Sequence, residues 1–156
     1  MRILRRQPDH VVLLLHPSEG RALRALLKLY PCVPPAAHRL SRTATGPAAA
    51  ENQRLLEEAM AALREEHQRE LAALLADPRR LRRTAKGWRL RLSRGDADRL
   101  LQVLNDIRVG SWIRLGSPDF EAGERVRLSD ETFPHLWAME TAAEFEVPLL
   151  TAFASE

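Results

Sequence analysis

The chain has 156 residues, the size of one domain, and a formal net charge of +3 at pH 7. Its single cysteine, Cys32, excludes an intrachain disulfide and a cysteine-ligated metal cluster, and an apolar content of 45% excludes a fully disordered protein. No stretch reaches the roughly 18 consecutive apolar residues that a membrane-spanning helix needs, and the N-terminus lacks an apolar signal core, so we expect a cytoplasmic protein.

The first third of the chain predicts a hairpin, a helix and a loop. Two strand-like segments, Arg2–Arg6 and His10–Leu15, are separated by three turn-forming residues, which favours an antiparallel hairpin. Pro17 suits the first turn of a helix, and Pro31 ends the helical spacing of leucines that follows. Residues 31–50 are rich in proline and predict a loop.

The middle of the chain predicts two long helices joined through a basic segment and a strand. Apolar residues fall on one stripe over 49–76, and the residue before Pro78 disfavours further helix. Residues 88–93 alternate in polarity as a half-buried strand does. Ser93 and Asp96 then form a capping-box pattern at the start of a helix over 94–115.

The last element is a helix that ends near residue 153. Gly116 and Pro118 end the preceding helix, and an acidic loop follows over 117–128. Ser129 is the predicted N-cap, with acidic residues in the first turn. Together these patterns predict one mainly α domain over 1–156. It has about four helices and a small antiparallel β element, made of the N-terminal strands plus the 88–93 strand, and 78–87 is a basic connector.

Four polar residues near the C-terminal helices form the first candidate site. Asn105, Asp106 and Arg108 lie within one turn of the 94–115 helix, and Glu140 shares a stripe with Trp137 on the last helix. A structural interpretation is an Arg108–Glu140 ion pair, because buried charges are tolerated when they are paired. The functional alternative is a polar site that binds metal or moves protons.

Signatures of catalysis and of cofactor binding are absent from the sequence. No serine lies in a Gly-x-Ser-x-Gly elbow, and no glycine-rich phosphate loop or dinucleotide motif occurs. His67 and His135 lack the Glu three residues earlier that a di-iron bundle needs. We therefore predict a non-enzymatic protein without metal or cofactor. An enzyme or metal-binding helical protein that uses Asp106, Glu140 and histidines is the least favoured alternative.

A basic segment is the second candidate site. Residues 78–95 hold eight basic residues and no acid. Within it, the residues predicted to contact nucleic acid or a protein partner are Arg79, Arg80, Arg82, Arg83 and Lys86. Contacts of this kind with phosphates would make nucleic-acid binding salt-sensitive. The alternative is a solvated connector whose arginines pair with the chain's own acidic segments.

The C-terminal half resembles a known family. The stretches RLSRGDADRLLQVLNDIRVGSWIRLG (91–116) and HLWAMETAAEFEVPLLTAF (135–153) are similar to an uncharacterised bacterial family called domain of unknown function 2017. The resemblance depends on Leu104, Asn105, Asp106 and Arg108, and on Trp137 near the start of the last helix. Genes of that family often lie beside the Clp protease adaptor ClpS, so the resemblance implies a link to regulated proteolysis.

These observations lead to two main functional hypotheses. The first is a protein–protein interaction or regulatory module, with ClpS or other Clp components as candidate partners. The second is a nucleic-acid-binding accessory protein that uses residues 79–94. Wide apolar stripes on three helices favour a homodimer as an open alternative, and nothing in the sequence points to a membrane partner.

Overall fold

A computed structural model describes residues 1–37 and 46–153 of the chain. The elements, in chain order, are β1 (Arg2–Arg6), β2 (His10–Leu15), α1 (Pro17–Leu27), a short 3-10 turn (Pro35–Ala37), α2 (Pro47–Ala76), β3 (Leu81–Thr84), β4 (Gly87–Ser93), α3 (Arg94–Arg114) and α4 (Phe133–Phe153). Among these described helices, none combines the length and the apolar character needed to cross a bilayer.

The four strands form one antiparallel sheet in the order β1-β2-β4-β3. One face of the sheet, which we call the inner face, is apolar. It carries Val11, Leu13 and Leu15 of β2 beside Leu90 and Leu92 of β4, and all five side chains are fully buried. On β4, exposed and buried side chains alternate from Arg89 to Ser93, and on β2 the side chains of the inner face are fully buried. The hydrophobic core therefore lies between the sheet and the helices.

The helices form a second layer on the inner face. α1, α3 and α4 all contact the strands, and α3 and α4 pack extensively on each other. α2 packs on α3 and β3 through its C-terminal third, where its buried residues His67, Leu71 and Leu74 lie. On the opposite face of the sheet, which we call the outer face, Arg82, Arg89 and Arg91 are exposed.

The predicted mainly α class is wrong, because the chain folds as an α+β domain with a four-stranded sheet. The predicted strands exist, but the segment predicted as the basic connector 78–87 contains a further strand, β3, which pairs with β4. Its sequence, Leu-Arg-Arg-Thr, was hard to assign from pattern because β3 is a short edge strand, and such strands often carry charged side chains.

Local capping signals predicted several helix starts well. Ser93 accepts a hydrogen bond from the Asp96 amide while the Asp96 side chain accepts one from the Ser93 amide, as the capping box requires. The start of α2 differs from the prediction, because the helix already begins at Pro47 and the predicted loop over 31–50 therefore extends too far.

The start of α4 differs from the prediction. The helix begins at Phe133. Ser129 lies at the start of a turn before the helix, and the Ser129 hydroxyl accepts a hydrogen bond from the Thr132 amide. Ser129 therefore caps a turn, and the acidic residues after it lie outside the helix.

Candidate functional site

The predicted C-terminal polar cluster is divided between two faces of α3. Arg108 Nη2 donates to Asn105 Oδ1 over 2.8 Å, and Arg108 Nε lies 3.2 Å from Glu146 Oε2. Glu140 is exposed and forms no ion pair with Arg108, so the predicted Arg108–Glu140 pair is wrong. Helical spacing placed Glu140 on the last helix but did not fix how that helix is rotated against α3.

Asp106 does not contact this pair; its carboxylate binds the segment that follows α1 to α3 through hydrogen bonds. Its Oδ1 accepts hydrogen bonds from the backbone amides of Cys32 at 2.6 Å and of Val33 at 3.3 Å. Its Oδ2 lies 3.6 Å from Nη2 of Arg64, which also donates to the Val33 carbonyl at 2.8 Å. The Asp106 carboxylate is therefore committed to structural bonds.

A cavity of about 380 Å³ lies beside Asp106, between α2 and α3. It contains His67, which is 7% exposed and whose Nδ1 lies 3.3 Å from the Tyr30 hydroxyl. Burial, with a contribution from the Asp106 charge, raises the pKa of both Tyr30 and Cys32 above their usual values. His67 is therefore a buried histidine whose ring is next to one polar side chain, the Tyr30 hydroxyl.

The five predicted basic residues have different surroundings. Arg80 forms an ion pair with Asp96, and Arg79 Nε lies 3.5 Å from Asp77 Oδ1. The pKa of Asp96 lies below its usual value because hydrogen bonds from Arg80 and Ser93 outweigh the opposing effect of burial. The other three, Arg82, Arg83 and Lys86, are exposed and form no ion pair with another described residue.

The strand register gathers arginines on the outer face of the sheet. One row across the strands consists of Arg2, Leu14, Arg89 and Arg82, which are opposite one another in that order. A second row consists of Arg5, Val12 and Arg91. Side chains of residues directly opposite each other share a face, so Arg2, Arg5, Arg82, Arg89 and Arg91 project from one side. We call these five the outer-face arginines.

Among the described residues, the outer-face arginines form no ion pairs, although Arg91 lines a pocket together with Asp9, Asp77 and Asp96. The four strands contain none of the chain's 21 acidic residues. Each of the five is exposed and forms no ion pair within the described part of the chain. The pKa of Asp9 lies below its usual value, mainly because its carboxylate accepts a hydrogen bond from the His10 ring, and attraction to Arg91 adds a smaller contribution.

Val12 indicates how these side chains lie on the surface. It is 2% exposed although it belongs to the outer face, and its cross-strand neighbours are Arg5 and Arg91. The aliphatic stems of arginine can cover apolar surface while the guanidinium stays in water. The stems on both sides of Val12 are therefore in position to bury it and to leave the charged ends at the surface.

Sequence reasoning identified the basic run but missed Arg2 and Arg5. They are distant in sequence from the basic run, and the pairing of β1 and β4 with β2 brings them to the same face as Arg89 and Arg91. A usable signal was present, because every segment with strand-like character lacks Asp and Glu.

A second surface feature is a groove of about 480 Å³ between α3 and α4. Its apolar lining includes Trp112 and Phe120, which are 37% and 46% exposed, together with Met139. Arg108 and Glu140, both from the predicted cluster, lie at its border. The structure therefore brings these two residues to one groove without pairing them.

Within residues 1–37 and 46–153, no group of three or more His, Cys, Asp or Glu side chains is arranged to hold a metal ion. No family model, curated protein or solved structure matches the chain. The resemblance to domain of unknown function 2017 therefore stays a prediction.

Proposed function

We propose that the protein is a nucleic-acid-binding accessory protein that contacts phosphates through its outer-face arginines. The observation that supports this proposal is the concentration of five exposed arginines without ion-pair partners on one sheet face, in strands that contain no acid. Arginine binds phosphate through two parallel hydrogen bonds and is well suited to this role.

Charge repulsion within the sheet strengthens the argument. Arg82 and Arg89 are directly opposite each other on β3 and β4. Like charges at such positions destabilise a sheet by up to about 1 kcal/mol. Protection of sheet edges by charge would explain arginines on β1 and β3, but β4 is a central strand. An anionic partner accounts for Arg89 and Arg91 as well.

The geometry suits a nucleic-acid backbone. The arginines of β1 and β4 are separated by one intervening strand, which corresponds to about 10 Å, and the two rows are about 7 Å apart. No Phe, Tyr or Trp belongs to the paired residues of the outer face in the described strands, since Trp88 lies in the register of the inner face. We therefore expect backbone contacts without base stacking, and weak sequence preference.

The test compares two triple variants of equal charge. R82Q/R89Q/R91Q removes three outer-face arginines, and R21Q/R69Q/R125Q removes three exposed arginines elsewhere. Fluorescence anisotropy with labelled DNA and RNA duplexes, repeated over a salt series, gives the slope of log K against log salt. For five phosphate contacts this slope is about −4.5, and for the remaining two it is about −1.8.

The wild type and the control variant should share the steep slope, and the outer-face variant should not. The proposal fails if the wild type does not bind either duplex, or if both variants weaken binding equally. Vesicles containing anionic lipid are a parallel arm. Binding to vesicles without binding to nucleic acid would assign the arginines to a membrane surface instead.

A protein partner is the second candidate function, and the exposed aromatic side chains of the α3–α4 groove favour it, because aromatic residues are enriched at protein interfaces. The predicted link to Clp-dependent proteolysis, with ClpS or other Clp components, stays a prediction. A pull-down with purified ClpS and the Clp ATPase tests it, and no retention above an unrelated basic domain would contradict it.

The cytoplasmic location and the homodimer are also kept as proposals. Cell fractionation tests the first and sedimentation equilibrium tests the second. Recovery in a membrane or extracellular fraction, or a monomer at all concentrations, would contradict them.

A further inference from the structure

The cavity between α2 and α3 has the size of a site for a small molecule. Its volume of about 380 Å³ lies within the range of roughly 300 to 1,000 Å³ that is typical of ligand pockets. Leu63, Gln102 and Asn105 belong to its lining and are exposed to solvent. A small molecule can therefore reach the cavity without a rearrangement of the fold.

Most of the cavity wall is apolar and comes from two helices. Met60 and Leu63 are supplied by α2, and Val109 and Ile113 are supplied by α3. The members of each pair are three or four residues apart, so they lie on one face of their helix. The apolar body of a ligand would leave water for these surfaces, which is favourable.

His67 supplies a buried hydrogen-bonding group in this apolar surrounding. It lines the cavity and is 7% exposed, and its Nδ1 lies 3.3 Å from the Tyr30 hydroxyl. The other ring nitrogen, Nε2, forms no hydrogen bond with any described residue. Because buried polar atoms are normally hydrogen-bonded, we expect the polar group of a ligand to bind at Nε2.

The charges around the cavity favour a neutral ligand. Apart from the His67 imidazole, the charged side chains of the lining are Arg64 and Asp106. Arg64 Nη2 and Asp106 Oδ2 are 3.6 Å apart, and Asp106 Oδ1 also accepts two backbone hydrogen bonds. The two charges therefore balance each other. A charged ligand would add a buried charge to a balanced pair, which is costly.

We propose that the α2–α3 cavity binds a neutral small molecule that has an apolar body and a hydroxyl group, with the hydroxyl group bonded to Nε2 of His67. The tautomer of His67 decides whether Nε2 donates or accepts, and a hydroxyl group can do either. None of the outer-face arginines lines the cavity, so this inference goes beyond nucleic-acid binding and is independent of it.

The experiment titrates the full chain with four compounds of similar size, followed by two-dimensional NMR of the backbone amides and the His67 ring. They are 4-methylphenol, toluene, 4-methylbenzoate and 4-methylbenzylamine. At neutral pH, 4-methylphenol should bind at least about tenfold more tightly than each of the others, because toluene leaves Nε2 unbonded and the other two compounds are charged. The His67 ring signals should shift as the cavity is filled.

Two substitutions of exposed leucines on α2 locate the site. L63W places a larger side chain in the cavity lining, so binding of 4-methylphenol should fall below detection. L55W makes the same change at an exposed leucine outside the lining and should leave binding unchanged.

A third variant tests the role of His67. H67F keeps a ring of similar size and removes both nitrogens, so 4-methylphenol should bind no more tightly than toluene, and toluene binding should be retained. The leucine pair provides a test that does not depend on a change at a buried residue.

The proposal is overturned if 4-methylphenol does not bind, if toluene or either charged compound binds as tightly, or if L63W behaves as L55W does. Unchanged preference for 4-methylphenol in H67F would also contradict it. None of these outcomes affects the salt dependence measured for the outer-face variants, so failure of this proposal is distinguishable from failure of nucleic-acid binding.

Discussion

Asp106 in the helical layer and Arg89 on the outer sheet face each carry a charge, and their surroundings are opposite. Asp106 is surrounded by two backbone amides and Arg64, all of which contact its carboxylate. Arg89 lies between strands without acids and directly opposite another arginine. The charge of Asp106 holds the segment after α1 to α3, whereas the charge of Arg89 is exposed and forms no ion pair with another described residue.

This difference follows from the physical requirements of the two regions. A buried charge needs partners because desolvation is costly, and the partly buried Asp106 carboxylate has three. An exposed arginine stays hydrated and needs no partner for stability. Charges without ion-pair partners are therefore expected at the surface. A cluster of like charges there, such as Arg82 opposite Arg89, costs stability through repulsion, and we interpret such a cluster as a sign of function.

The largest effect is expected where the bonds of Asp106 are removed. D106A leaves the Cys32 and Val33 amides and the Arg64 guanidinium without their acceptor, and we expect a loss of about 3 kcal/mol in the free energy of unfolding. D98N, at an exposed position of the same helix, is the control and should change little. Urea denaturation measures both, and equal stability of the two variants would contradict the structural role of Asp106.

A second prediction tests the close contact that brings Asp106 to its partners. A Cβ at Gly110 would lie 2.4 Å from the Cys32 Cβ and 2.5 Å from the Cys32 carbonyl carbon, so G110A should destabilise the fold by about 2 kcal/mol. G95A, on the same helix with open space around it, should be neutral or slightly stabilising. A G110A variant as stable as G95A would show that α3 does not pack closely on the segment after α1.

A third prediction uses pH to follow an ion pair at the border between the two regions. The folded pKa of Asp96 lies below its usual 3.8, so the folded state binds its proton less readily than the unfolded state. The stabilisation is present above that value and is lost as pH falls through the folded pKa.

The D96N variant lacks this titrating group and measures its contribution. At neutral pH, D96N should be about 1 kcal/mol less stable than wild type, allowing for solvent screening of the pair with Arg80 and for weakening of the cap. The difference should narrow as pH falls below 3.8 in a series of denaturation curves. A difference that stays constant or widens in acid would contradict the assignment.

The smallest expected effect has the opposite sign and lies on the outer face. R89Q removes a like-charge contact with Arg82, and we expect the fold to be stabilised by up to about 0.5 kcal/mol at low salt. The gain should diminish as salt screens the repulsion. Thermal unfolding at two salt concentrations measures it, with R69Q, on an exposed part of α2, as the control. A clear destabilisation would place Arg89 among the structural charges.

Local signals allowed much of the secondary structure to be predicted from the sequence. The Ser93–Asp96 capping box, the proline at the start of α1 and the alternation of residues 88–93 depend on neighbours a few positions apart. Such interactions are specified by spacing alone. The assignment of β3 failed because a short, charged edge strand owes its conformation to its pairing with β4.

Long-range contacts determined what could not be predicted. The choice of Glu146 over Glu140 as partner of Arg108 depends on how α3 and α4 are rotated against each other. The bonds from Asp106 to the segment after α1 connect residues more than 70 positions apart. The outer-face site needed the strand order, because β2 lies between Arg2 and Arg5 on one side and Arg89 and Arg91 on the other.

The central claim is that the outer-face arginines are the charges left for a partner. Two-dimensional NMR of the arginine side chains and backbone amides, during titration with a DNA or RNA duplex, tests it most directly. The account predicts that the signals of Arg2, Arg5, Arg82, Arg89 and Arg91 shift while those of Arg64 and Arg108 do not. Shifts confined to the helical layer, or no shifts at low salt, would contradict it.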